Sequence, residues 1–228
     1  MRYVGFLLGL CVLTTLQSHA APWVRPAGSN YAHTAIAHED VLGTTAWRTS
    51  LYVEHGLTAA TTITGKVELV SYPELQQYDE QGWRVTVRRR IFQSAGFTAS
   101  VEAGLLQGSA LESRQACRTL GGEIRTGMAW SGEWSHQQTF MFAEMSGRQH
   151  ADCSRARLDV GFGQQISDRI WAVSQIWSER GNRQGRSDKI QTELVWRGPH
   201  SDISLGVREE FSGVFQDSAI FVAVSVGF

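Results

Sequence analysis

Along most of this chain apolar residues recur at every second position rather than every third or fourth. Trp83, Val85 and Val87 alternate with Arg84, Thr86 and Arg88. Phe97, Ala99, Val101, Ala103 and Leu105 alternate with Thr98, Ser100, Glu102 and Gly104. The same holds for Leu158, Val160 and Phe162, for Ile190, Leu194 and Trp196, and for Ile203, Leu205 and Val207. A period of two sends neighbouring side chains to opposite faces of a strand. Each segment therefore has one apolar face and one polar or tiny face, and the chain is all-β.

The pattern predicts about twelve strands, near Trp23–His38, Trp47–His55, Thr61–Tyr72, Trp83–Phe92, Phe97–Gln107, Leu120–Trp130, His136–Met145, Arg155–Gly163, Ile170–Ser178, Ile190–Trp196, Ile203–Arg208 and Ala219–Phe228. An even count of antiparallel strands is what bacterial outer-membrane barrels have. The predicted connections alternate in length. His55–Ala60, Gln93–Gly96, Ser131–Ser135, Gln164–Arg169 and Gly198–Asp202 are short; Glu39–Thr45, Pro73–Gln81, Gly108–Thr119, Ser146–Ser154, Glu179–Lys189 and Glu209–Asp217 are longer and polar. Short periplasmic turns and longer extracellular loops produce this rhythm in an up-and-down transmembrane β-barrel; a β-sandwich has no reason to alternate so. Trp47, Trp83, Trp130, Trp171, Trp177 and Trp196 fall at or near strand ends, where an interfacial aromatic girdle would put them.

The two ends of the chain carry the same message. Arg2, the apolar run Val4–Leu16 and the small-x-small triplet Ser18-His19-Ala20 form a secretory signal peptide over residues 1–20, leaving 21–228 as one barrel domain. Beyond it no apolar run reaches the ~20 residues of a spanning helix. At the other end Ile220, Val222, Val224, Val226 and Phe228 share one face and Phe228 is the last residue. A terminal alternating strand ending in Phe is similar to the signal that barrel-insertion machinery reads, here Val224, Val226 and Phe228. The expected location is the outer membrane of a Gram-negative bacterium.

Composition excludes several classes. A formal net charge of −1 argues against a nucleic-acid binder, and three Cys against a disulfide-dense scaffold. Paired-Cys zinc spacing, a His-Glu-x-x-His helix and a phosphate-binding Gly loop are all missing, so neither metal nor cofactor is expected. The scattered His residues, His33 and His38 among them, read as polar surface.

Strand parity sends Glu54, Glu68, Arg84, Arg88, Arg90, Glu102, Glu123, Arg125, Arg157, Asp159, Glu193 and Arg208 to the lumen. Adjacent strands carry opposite signs, which either knits the lumen shut with ion pairs or lines a narrow polar pore. Arg89 points outward, where a charge at mid-bilayer costs ~2–4 kcal/mol, so a bulge or an interfacial position is required. Cys117 and Cys153, both in expected extracellular loops, could pair in an oxidising compartment. His150, Asp152 and Ser154 are the residue types of a hydrolase triad, but triads need a rigid frame. The expectation is no enzyme, with a lipid-acting barrel enzyme as the minor alternative.

Two stretches are distinctive: Ala21-Pro22-Trp23-Val24-Arg25-Pro26-Ala27-Gly28 running into Tyr31, and Leu51-Tyr52-Val53-Glu54-His55-Gly56-Leu57-Thr58. They resemble the W-x-x-P-x-G…Y start and the Y-x-E-Y-G-L-T hairpin of a family of proteobacterial outer-membrane proteins, the XagA-like family. Some of its members are encoded beside exopolysaccharide synthases. His55 stands where that family usually has Tyr, and Glu39–Thr45 is short for its first loop. The resemblance implies an outer-membrane barrel associated with exopolysaccharide. The expected functions are a narrow channel or accessory of exopolysaccharide secretion or, alternatively, a closed adhesive barrel that binds through its extracellular loops. The expected partners are membrane lipid, the insertion machinery and a polysaccharide or small solute, with the barrel a monomer.

Overall fold

The structure, a computed structural model, describes residues 22–109, 117–182, 185–213 and 216–228; the expected signal peptide lies outside them. Twelve strands follow one another: β1 (Asn30–Val41), β2 (Thr44–Thr58), β3 (Thr61–Ser71), β4 (Glu80–Ser94), β5 (Phe97–Gly108), β6 (Gly121–Trp134), β7 (Gln137–His150), β8 (Ser154–Ser167), β9 (Ile170–Gly181), β10 (Gly185–Arg197), β11 (Ser201–Gly213) and β12 (Asp217–Gly227). Each pairs antiparallel with its neighbours, and β1 pairs with β12 to close the barrel. Closure leaves no unpaired edge, which is what a bilayer demands of strands that cross it. Among the described residues the lone helical element is a 3-10 turn at Gln76–Tyr78.

The outer surface is a continuous apolar band. Ile36, Val85, Val101, Ile124, Met145, Val160, Ile176, Leu194, Leu205 and Val222 are all exposed. In water such a surface would aggregate; against lipid tails it is the matched face. Arg89 points outward at the edge of this band, opposite Thr61 beside the β2–β3 turn, and a bulge between Arg90 and Phe92 follows at once. The rim position and the bulge together remove the bilayer penalty expected for it.

The strands run further than their apolar alternation. The expected loop Glu39–Thr45 shrinks to a turn at Leu42-Gly43, both at positive φ, Ser146–Ser154 to residues 151–153, and Glu179–Lys189 to 182–184. The longer connections at that end are 72–79 and 109–120. Above the bilayer both faces of a strand can be polar, so pairing continues where the hydrophobic signal has stopped. The turns at the end that carries the termini are as short as expected, the pattern of a periplasmic end.

Two further expectations are corrected. The first strand begins at Asn30, not Trp23. Pro22 and Pro26 lack the N–H that a ladder needs, and Gly28, at φ +78°, turns the chain so that the Ser29 N–H donates to the Pro26 carbonyl. Among the tryptophans, Trp47, Trp83 and Trp196 face out, but Trp171 and Trp177 are buried inside the barrel, so the girdle expectation holds for part of the set.

Candidate functional site in the lumen

The inward face is charged, and almost every charge described there has a partner. Arg88, on β4, is only 2% exposed. Its Nε donates to Glu102 at 2.7 Å and its Nη1 to Glu54 at 2.9 Å. Tyr52 donates to Glu54 at 2.6 Å. Next to this group Glu123 accepts from Arg125 (2.7 Å), Arg148 (3.0 Å) and Arg84 (3.4 Å), and Arg125 reaches Glu144 at 3.3 Å. Farther round the wall Arg157 lies 2.7 Å from Asp159. Towards the extracellular end Glu39 accepts from Arg48 at 2.7 Å and from Arg208, Arg48 and Lys66 approach Glu68, and Lys189 reaches Asp217 at 2.5 Å.

Of the other residues expected in the lumen, Glu193 is buried and Arg208 is half-buried, its guanidinium at Glu39. Arg90 departs from the expectation. It is half-buried, and its guanidinium donates to the Ala59 carbonyl in the β2–β3 turn, so it caps the periplasmic rim. Its strand bulges there and parity ends. Sequence reasoning misses Glu39, Arg48, Glu144 and Arg148. The apolar alternation leaves Glu39 in a loop. Glu144 shares its face with Phe140 and Phe142, and a strand apolar on both sides hides its parity; a mid-strand carboxylate is the signal that this face turns inward. His33 is also buried, its Nδ1 2.9 Å from the Ser225 hydroxyl, and not surface as expected.

Aromatic rings occupy the periplasmic part of the lumen. Trp23, Phe140, Phe142, Trp171, Val173 and Val195 form one cluster, with Trp23 edge-on to Phe140 at 5.8 Å and Phe140 stacked on Trp171 at 6.0 Å. The Phe140 and Phe142 rings lie against Gly163 and Gly161 of the next strand, where any Cβ would strike them.

Elsewhere in the lumen a cavity of about 110 Å³ remains. It is bordered by Tyr52, Trp177 and Phe221, by Gln175 and Gln191, and by Arg48, Lys66, Arg157, Lys189 and Arg208, with Glu68 the acid among them. Arg157 lies over the Trp177 ring at 5.0 Å. The Trp177 indole N–H is buried and has no acceptor among the described residues. Flat rings, amides and cations are the groups that hold a polyhydroxylated, negatively charged solute.

The extracellular rim is tied separately. Cys117 and Cys153 form a disulfide with Cα atoms 5.8 Å apart, a span that loop curvature permits although their strands are not adjacent. The Asp188 carboxyl, in the part of β10 above the apolar band, is pushed up by burial, but hydrogen bonds from Arg180, Ser178 and Arg186 outweigh that and hold it well below the usual carboxylate range. His150, Asp152 and Ser154 do not assemble as a triad. The His150 Nδ1 is 2.8 Å from the Thr119 carbonyl, and Asp152 accepts from the Thr119 hydroxyl at 2.6 Å. Among the described residues no cluster of His, Cys, Asp and Glu could hold a metal ion.

No family model matches the sequence, and no curated protein matches it. Solved structures do. The KdgM porin superposes with a TM-score of 0.61 at 10% identity, covering 86% of this chain and 99% of that one. It has also been solved in complex with disordered oligogalacturonate. The NanC porin gives 0.63 at 11% identity, covering 86% and 98%, and the COG4313 outer membrane channel from Pseudomonas putida F1 gives 0.62 at 8%, covering 90% and 97%. At such identities the likeness is one of fold, that of the β-barrels of the Gram-negative outer membrane.

Proposed function

We propose that the barrel is a narrow channel for small acidic saccharides, acting as an accessory of exopolysaccharide secretion. The observation that carries this reading is the lumenal cavity, where Tyr52, Trp177 and Phe221 stand beside Arg48, Lys66 and Arg157. Rings stack on sugar faces, and guanidinium groups pair with carboxylates bidentately. The porin whose complex contains oligogalacturonate shares the architecture. The exopolysaccharide association follows from the resemblance carried by Trp23, Pro26 and Gly28 and by Tyr52, Glu54 and Gly56. The partners in this reading are a saccharide in the lumen, lipid outside and the insertion machinery at Val224, Val226 and Phe228, with the barrel acting as a monomer.

The test is conductance of the purified barrel in planar bilayers, with oligogalacturonate and a neutral oligosaccharide of equal length added in turn. Anion preference together with transient block by the acidic oligomer alone supports the proposal. Equal behaviour of the two sugars overturns the acidic-saccharide part, and a folded barrel that never conducts overturns the channel. The second reading, a closed adhesive barrel, is favoured by the extent of ion pairing around Arg88 and Glu123; absence of conductance together with polymer binding to whole cells would establish it.

A further inference from the structure

The two motifs singled out in the sequence meet in space. Before β1, residues 22–29 leave the barrel wall and enter the periplasmic end of the lumen. Pro22, Trp23 and Val24 are buried. Each part of this segment has a receptor on the wall. The Trp23 ring packs against Phe140, and the Trp23 carbonyl accepts from Arg88 at 3.0 Å. The Arg25 main-chain N–H donates to Thr62 at 2.7 Å, and its guanidinium pairs with Glu54 and lies 4.1 Å from the Tyr31 ring centre. The Gly28 N–H donates to the Gly56 carbonyl at 2.8 Å, and the Gly56 N–H to the Ser29 carbonyl at 3.0 Å. Gly56 faces the Pro26 carbonyl so closely that any Cβ would overlap it.

We infer that residues 22–28 are a plug docked on the β2 segment Tyr52–Gly56, which narrows the periplasmic mouth and must move aside for solute to pass. The contacts divide by type. The ring and the Pro fill space; the hydrogen bonds of Arg88, Thr62 and Gly56 go to main chain and can be exchanged for water. The segment is not itself a strand, so its departure costs the main-chain bond from Gly28 to Gly56 but leaves the β1–β2 pairing from Asn30 onward intact. The inference uses the channel reading for its conductance readout but not the identity of the solute.

The experiment uses the full chain with Cys117→Ser and Cys153→Ser, and adds Pro22→Cys with Gly127→Cys. A Cβ built on Gly127 lies 3.1 Å from the Pro22 Cβ, within reach of a disulfide once Glu144 shifts. Oxidation is expected to form the bond and suppress conductance, and reduction to restore it. In parallel, the uncrosslinked double variant Trp23→Ala, Arg25→Ala is expected to conduct severalfold more than wild type, with heat-modifiable gel mobility reporting that the barrel is folded. Failure of the cysteines to bond, equal conductance before and after reduction, or a folded double variant that conducts no more than wild type overturns the plug. Loss of saccharide selectivity while the crosslink still gates would instead sink the solute assignment and leave the plug standing.

Discussion

The guanidinium of Arg88 donates to the main-chain carbonyl of Trp23 at 3.0 Å, so the most deeply buried cation of the β4 wall holds a residue that lies 65 positions earlier and outside the sheet. The same side chain bridges Glu54 and Glu102. Arg88 thus ties the lumenal segment to the wall, alongside Thr62, Glu54 and Gly56.

Arg88→Met should leave Glu54 and Glu102 short of a charge partner inside the barrel. Removing one member of a buried ionic group costs about 3–5 kcal/mol. The urea midpoint of the variant refolded in detergent should fall accordingly, whereas Arg180→Met, on the exposed rim, should change it by less than about 1 kcal/mol.

Gly56→Ala should displace the N-terminal segment while the barrel still forms, because the new Cβ meets the Pro26 carbonyl and not the ladder. Single-channel conductance is expected to rise. Gly147→Ala, where nothing lies within 4 Å of the added Cβ, is the control expected to leave it unchanged.

Lys66→Glu should reverse the charge at one side of the cavity, where Lys66 now stands 3.1 Å from Glu68. The reversal potential in a salt gradient is expected to shift toward cation preference, and any block by oligogalacturonate to weaken. Trp177→Ala should weaken the block without moving the reversal potential, since it removes a stacking surface and no charge.

Reduction of the Cys117–Cys153 bond should lower stability by about 2–4 kcal/mol, the usual worth of a crosslink closing a loop of this length. With twelve strand pairings intact the barrel should remain folded. Denaturant titration with and without reductant measures the difference.

Phe228→Ser should reduce the amount of protein reaching the outer membrane but leave refolding into detergent unaffected. The Phe228 side chain is exposed, while its N–H and carbonyl pair with Asn30 through the main chain, which any residue provides. Comparing membrane fractions with in vitro refolding yield separates the two effects.

The alternation of Ile220 to Phe228, of Trp83 to Val87 and of Ile203, Leu205 and Val207 was sufficient to indicate an antiparallel barrel of about twelve strands, and the closed sheet fixed the count and the register. The side-chain period of a strand is local, and lipid requires one face to be apolar. The same parity placed Glu54, Arg88, Glu102 and Glu123 inside. Parity is silent wherever both faces of a strand are apolar or both are polar. That is why the inward turn of Phe140, Trp171 and Trp177, and the continuation of β7 and β8 above the bilayer, were decided by tertiary packing. The path of residues 22–29 was decided there too. Two prolines and a glycine say that this stretch is no strand, but only the closed barrel brings Arg88, Thr62 and Gly56 to one place to receive it. Contacts between residues dozens of positions apart are set by closure, which no local period encodes.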